Sequence, residues 1–169
     1  LRVADVQRVL QNLLRERVPV RDLEVVLETL GDWAPRTKDP EVLTEYARHA
    51  LARTICAQYK DAQNIVHCVT LDPATEDYIQ GNIQRLDVGS ALTLPPDKQS
   101  QLALKTRQQV EAATGGAGGA TLAVLCSPQV RMWVRRIIEA LLPQTPVLAL
   151  NEIVRGVEVR AHGVVSIDA

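Results

Sequence analysis

A polar residue followed by proline occurs at Asp39-Pro40, Asp72-Pro73 and Ser127-Pro128, and this punctuation constrains the fold most tightly. Asp and Ser are good helix N-caps, and proline fits the first helical turn, where its missing N–H has no partner to lose. The second and third pairs each follow a short apolar run, at 65–71 and 122–126. Strand, capped proline, helix is therefore predicted twice, which favours an α/β arrangement for that part of the chain.

The residues before it read differently. A helix is predicted over 3–17, with Val6, Val9, Leu10, Leu13 and Leu14 on one stripe. Pro19 breaks it, and a second helix follows with Leu23, Val26, Leu27 and Leu30 inward and Gly31 as its stop. A third opens at Asp39-Pro40, with Leu43, Tyr46, Ala47, Ala50 and Leu51 as its stripe. Downstream, helices are expected over 73–85, 95–113 and 128–142, and strands over 147–150 and 157–167, the last bent at Gly163. The 128–142 helix turns Val130, Val134, Ile137, Ile138 and Leu141 inward and Arg131, Arg135 and Arg136 outward. The GGAGG run at 115–119 is expected to be a flexible connector.

The expected fold class is thus α plus α/β. A small helical subdomain covers 1–57, and an α/β subdomain with a mixed sheet of about four strands covers 58–169. Among 169 residues there is no Phe, and aromatic residues make up 3%, so the core must be aliphatic and stacking platforms for bases are disfavoured. A net charge of −1 argues against a nucleic-acid partner. Cys56, Cys68 and Cys126 form no disulfide framework, which points to a reducing setting. No apolar run approaches the about 20 residues of a membrane span. The chain starts at Leu1 rather than Met and is expected to be a fragment.

Chemistry is sparse. Cys126 lies at a predicted strand end before a helix, with Arg131 five residues on. A helix dipole lowers a thiol pKa there, so a phosphatase-like nucleophile is one reading. The loop lacks glycines to aim N–H groups at an anion, and a structural cysteine is favoured. His67 and Cys68 are adjacent on a strand and point to opposite faces, and no zinc spacing exists. No catalytic, cofactor-binding or metal site is expected, and no cofactor. Glu41, Glu45 and Arg48 share one helix face, where a solvated salt-bridged surface is favoured over a subunit contact, as it is for Arg21-Asp22 and Lys38-Asp39. Trp33 is expected to cap the helical core from the turn after the second helix, and Trp133 to sit near the edge of its stripe.

The segments LLRERVPVRDLEVVLETL and TKDPEVLTEYARHALARTI resemble the export-gate proteins of type III secretion, the FHIPEP family. VTLDPATEDYI, IQRLDVGSALTL and TLAVLCSPQVRMWVRRIIEALLPQTPVLALNEI continue the resemblance in order over essentially the whole chain. Leu71-Asp72-Pro73 and Cys126-Ser127-Pro128 look more like the flagellar branch than the injectisome branch. Ala91 and Ala149-Leu150 depart from the family's usual aromatic and Ser-aromatic choices. The resemblance implies a non-enzymatic scaffold, the last two subdomains of a cytosolic region. Its expected partners are copies of itself in a ring, commonly of nine, other export-apparatus proteins and chaperone–substrate complexes. It implies a place at the cytoplasmic face of the bacterial inner membrane, with attachment through an N-terminal region not in this sequence. It also raises Arg21, Asp22, Lys38, Glu45 and Arg48 as candidate subunit-interface residues.

Overall fold

The computed structural model describes residues 1–87 and 89–168. Val88, in the loop quoted above, and Ala169, the end of the expected second unit, lie outside the described residues. Four helices come first: α1 (Val3–Arg15), α2 (Leu23–Trp33), α3 (Pro40–Ala50) and α4 (Ala52–Tyr59). Then follow β1 (Ile65–Leu71), α5 (Pro73–Gly81), β2 (Ile83–Arg85), β3 (Ser90–Leu92) and α6 (Pro96–Ala113). The chain continues through β4 (Ala123–Cys126), α7 (Arg131–Ile138), β5 (Val147–Ala149), a single 3-10 turn at Leu150–Glu152, and β6 (Glu158–Val165). The main sheet has the order β5-β4-β1-β6 with every pairing parallel; β2 and β3 form a separate antiparallel hairpin.

Both aspartate–proline pairs act as expected. Asp39 accepts from the Glu41 N–H at 3.0 Å, and Asp72 from the Thr75 N–H at 2.9 Å. Ser127 does not cap a helix directly. Its carbonyl accepts from the N–H groups of Val130 and Arg131 at 3.2 Å, so Pro128 belongs to a turn and α7 begins three residues later. α1 ends in a Schellman motif: Arg17 adopts φ 60°, its N–H donates to Leu14 O, and Val18 N–H donates to Leu13 O.

Four expectations are corrected. α2 runs through Gly31, because a helical glycine costs only about 1 kcal/mol and Trp33 in the last turn stacks on Tyr46 with centroids 3.6 Å apart. The helix over 73–85 stops at Gly81, and Ile83 turns instead to pair with Leu92. α7 stops at Ile138, whose carbonyl accepts from both Leu141 and Leu142. The glycine run is a structured turn whose Ala117 is buried in the core.

Strands β1, β4 and β5 of the parallel sheet are buried on both faces, as such strands generally are, while β6 at the edge is largely exposed. Val66, Cys68, Ala123, Leu125 and Leu148 pack against Val9, Leu13, Leu30, Leu43 and Ile55 of the helical layer. Val69, Leu71, Val124, Cys126 and Val147 face Ile79, Leu102, Val134 and Ile138 on the other side. Strand alternation produces both surfaces from a single run of apolar residues. The boundary expected between residues 57 and 58 falls inside α4, and one apolar cluster spans both sides of it.

Candidate functional site

Facing α1 and α3, α7 carries the arginine row, and the glutamates of those helices meet it. Arg131 is 1% exposed. Its Nε and Nη2 donate to the two Glu45 carboxylate oxygens at 2.7 and 2.8 Å. Nη1 and Nη2 donate to the two Glu16 oxygens, both at 2.9 Å, and Nη1 also reaches Val147 O at 2.9 Å. All five N–H donors of the guanidinium are therefore used, in two bidentate pairs and one backbone bond. Arg48 makes a third such pair, with Nε and Nη2 donating to Glu152 at 2.8 and 3.0 Å. Its Nη2 also reaches Val147 O at 3.3 Å, so both buried arginines converge on the first carbonyl of β5. Glu152 completes the set by accepting from Ala149 N–H at 2.9 Å. Arg136 meets Glu41 at 2.9 Å at the more exposed rim.

Electrostatics follow from this geometry. Burial pushes the Glu16 carboxyl up, but the hydrogen bonds and charge of Arg131, with the charges of Arg48 and Arg135, outweigh it and hold Glu16 below its ordinary value near 4.5. Burial works against the Arg131 cation, yet Glu45 and Glu16 raise its pKa well above the ordinary range.

The sequence-level reading of these charges is revised. Arg48 is 2% exposed and its guanidinium is engaged within the chain, so it is no part of a solvated face. Glu45 is held by Arg131. Arg131 itself, expected outward, is the largest of the fully buried side chains. Arg21, Asp22 and Lys38 are exposed, the first two beside Pro19 and Thr54 at a shallow cleft of about 280 Å³. Glu16 and Glu152, both essential to the network, were not legible as site residues. The only sequence signal is an i, i+4, i+7 acidic–basic row in one helix and an arginine row in another.

Cys126 cannot serve as a nucleophile here. It is 1% exposed, burial pushes its thiol far up despite the Arg131 charge, and its Sγ lies against Leu148 O. Arg131, the anion-binding group of that reading, is fully committed to carboxylates. Burial likewise pushes the Cys68 thiol up to about 11. His67 lies on an internal strand of the sheet and is buried.

Beside the network opens a cleft of about 630 Å³ between α2, α3, the β2–β3 hairpin and α7. Trp33, Tyr46, Val42, Ile83 and Met132 give it apolar walls, while Glu45 and Glu152, both already paired, lie at its lining. Arg36 sits 4.9 Å over the Trp33 ring, which extends the aromatic stack, and Trp133 is 6% exposed rather than an edge residue. The arrangement can hold two helical layers in a fixed relation and present a concave surface. It brings no activated nucleophile and base together.

The profile of the FHIPEP family matches residues 1–158. FlhA of Bacillus subtilis, a flagellar biosynthesis protein, is 38% identical over 167 residues, which is 99% of this chain and 24% of FlhA. The Chlamydia pneumoniae CdsV and CdsO complex contains a chain that superposes with a TM-score of 0.87 at 29% identity, over 98% of this chain and 48% of that one. The nonameric EscV cytosolic domain from the type III secretion system superposes with a TM-score of 0.72 at 28% identity, over 95% of this chain and 46% of that one. The chain thus spans about a quarter of FlhA's length and about half of each solved chain.

Proposed function

The chain belongs to the FHIPEP family, the export-gate family of type III secretion, and from that premise we propose that it forms part of a ring-building scaffold that docks secretion substrates and passes them to a membrane channel. The observation that carries the reading is the likeness of 95% of this chain to part of the EscV cytosolic domain, which is nonameric. The network supports it from within, because a platform that positions partners needs layers that do not slide. The role is structural rather than enzymatic, and its place is the cytoplasmic face of the inner membrane. Among the described residues no helix is long and apolar enough to cross a membrane, so attachment falls to another part of the protein.

Copies of the protein are the first partners, and Arg21, Asp22 and Lys38 are the candidate contact residues, being charged, exposed and free of the buried network. Other export-apparatus proteins follow by analogy with CdsV, which was solved with CdsO, and chaperone–substrate complexes follow from the export role. The flagellar branch is favoured on the Leu71-Asp72-Pro73 and Cys126-Ser127-Pro128 sequences and the FlhA likeness. The injectisome branch is the second reading, favoured by the CdsV and EscV likenesses.

The test is assembly of a longer cytosolic fragment containing this chain, imaged by cryo-electron microscopy. Rings are expected, with Lys38→Glu or Arg21→Glu lowering the assembled fraction. A fragment that stays monomeric at high concentration and binds no export component would sink the proposal. The branch is read separately, by substituting this chain into FlhA and scoring motility.

A further inference from the structure

The α6 side of the sheet carries a second polar cluster, unrelated to the Arg131 network. His67 on β1 is 5% exposed. Its Nε2 lies 2.8 Å from Asp61 Oδ2, and its Nδ1 lies 2.7 Å from His162 Nε2 on β6. Asp61 is fixed in place, its Oδ1 accepting from Gln63 N–H and Ile65 N–H, both at 2.9 Å. The two imidazoles are stacked with centroids 5.0 Å apart. His162 lies directly beside the glycine turn, where a Cβ added at Gly116 would stand 3.2 Å from its Nδ1. Next to it, a Cβ at Gly163 would collide with Gln109, and the β1–β6 register shifts in this region.

Proton counting decides what this cluster can do. Ionised Asp61 accepts from His67 Nε2–H, which leaves one proton to be shared between Nδ1 of His67 and Nε2 of His162. A hydrogen bond needs a lone pair on one of those nitrogens. With both rings neutral, His162 donates to His67. With one extra proton, the cationic ring donates to the neutral one. With two extra protons both nitrogens carry N–H, no lone pair remains, and two cations face each other at hydrogen-bond distance. The surrounding charges do not relieve this. On β6, Arg160 stands in register with His67 and pairs with Glu158 at 3.7 Å. Before β1, Lys60 neighbours Asp61 and bridges to Val66. From α6 come Lys105, held on Ser166 O at 3.0 Å, and the uncharged Gln109. Residues 114–119 carry no titratable side chain.

We propose that Asp61, His67 and His162 form a proton-operated latch that holds the glycine turn and the first half of β6 against β1, and that releases both when the second imidazole is protonated. Histidine is the side chain whose ordinary charge change falls between about pH 5 and 8, and this sets the interval over which the latch is tested. The release is local to β6 and residues 114–119.

Hydrogen exchange of the 169-residue chain between pH 7.5 and pH 5.0, corrected for intrinsic rates, tests this. Protection of 114–120 and 158–163 is expected to fall more than tenfold while α1–α3 stay protected. His162→Gln keeps a donor towards His67 but cannot take a proton, so its exchange should not change with pH. A wild-type change below twofold, or the same fall in His162→Gln, overturns the latch. If that variant does not fold, imidazole titration of the wild type by NMR decides. Two separated steps, the second coinciding with the loop amide shifts, support the latch, and two independent titrations overturn it.

Discussion

Arg131 concentrates the energetics of the interior at one side chain. Removing it takes from Glu45 its cation and from Glu16 its nearest one, and breaking a buried pair in this way costs about 3–5 kcal/mol. Arg131→Gln is therefore expected to lower the urea midpoint sharply. Arg136→Gln removes a half-exposed pair with Glu41 and should change stability by at most about 1 kcal/mol. Similar losses for the two variants would mean that the network does not hold the layers. Glu16 adds a pH dependence. Its pKa is depressed in the folded chain, so its contribution is complete above its ordinary value near 4.5 and fades as pH falls through the folded value. The unfolded chain takes up that proton first, so acid favours unfolding. Urea midpoints should fall between about pH 5 and pH 3, and Glu16→Gln, weaker at pH 7, should lose less over that interval. This range lies below the pH 7.5 to 5.0 interval over which the histidine latch is tested.

Among the elements, the aspartate–proline starts are the most local features and the most predictable. Asp72 caps α5 and also accepts from Ser166 Oγ at 2.6 Å, tying the helix to the end of the last strand. Hydrogen bonds from Ser166 and Thr75 hold its carboxyl below the usual carboxylate range. Asp72→Ala should cost about 1 kcal/mol as a lost cap, which for a chain this size is a fall of roughly 2–4 °C in Tm by calorimetry. No change in Tm would show that the helix start is set by packing alone. The β2–β3 hairpin lies at the opposite extreme. Its three-residue strands carry little pattern, Gly89 takes φ 82°, and the pairing of Ile83 with Leu92 depends on residues nine apart finding each other. A helix reading through residue 85 was the natural local answer, and only the pairing overrides it.

For the whole molecule, the shared core decides how the chain unfolds. Helical and α/β segments bury their apolar faces on the same sheet, and the Arg131 and Arg48 pairs cross the same boundary. Each part alone would expose that face and leave buried charges unpaired. We expect one cooperative transition. Trp33 reports on the helical layer and Trp133 on α7, so the Trp33→Phe and Trp133→Phe chains supply separate probes. In each, the fluorescence midpoint in urea should coincide with the circular dichroism midpoint at 222 nm. Two separated transitions would support a division into independent units at residues 57 and 58.

The sequence by itself determined most of the element types and their order, the two aspartate-capped starts and the family, but neither α4 nor the β2–β3 hairpin. These rest on interactions between residues a few positions apart, whose spacing is written in the chain. Only the tertiary structure decided that Arg48 and Arg131 are interior groups rather than a surface, that the half-buried Glu45 is held by Arg131, and that His67 meets His162. Charged residues look alike in sequence whether water or a distant partner satisfies them. Glu16 and Arg131 are 115 residues apart, and folding alone sets the 2.9 Å between them.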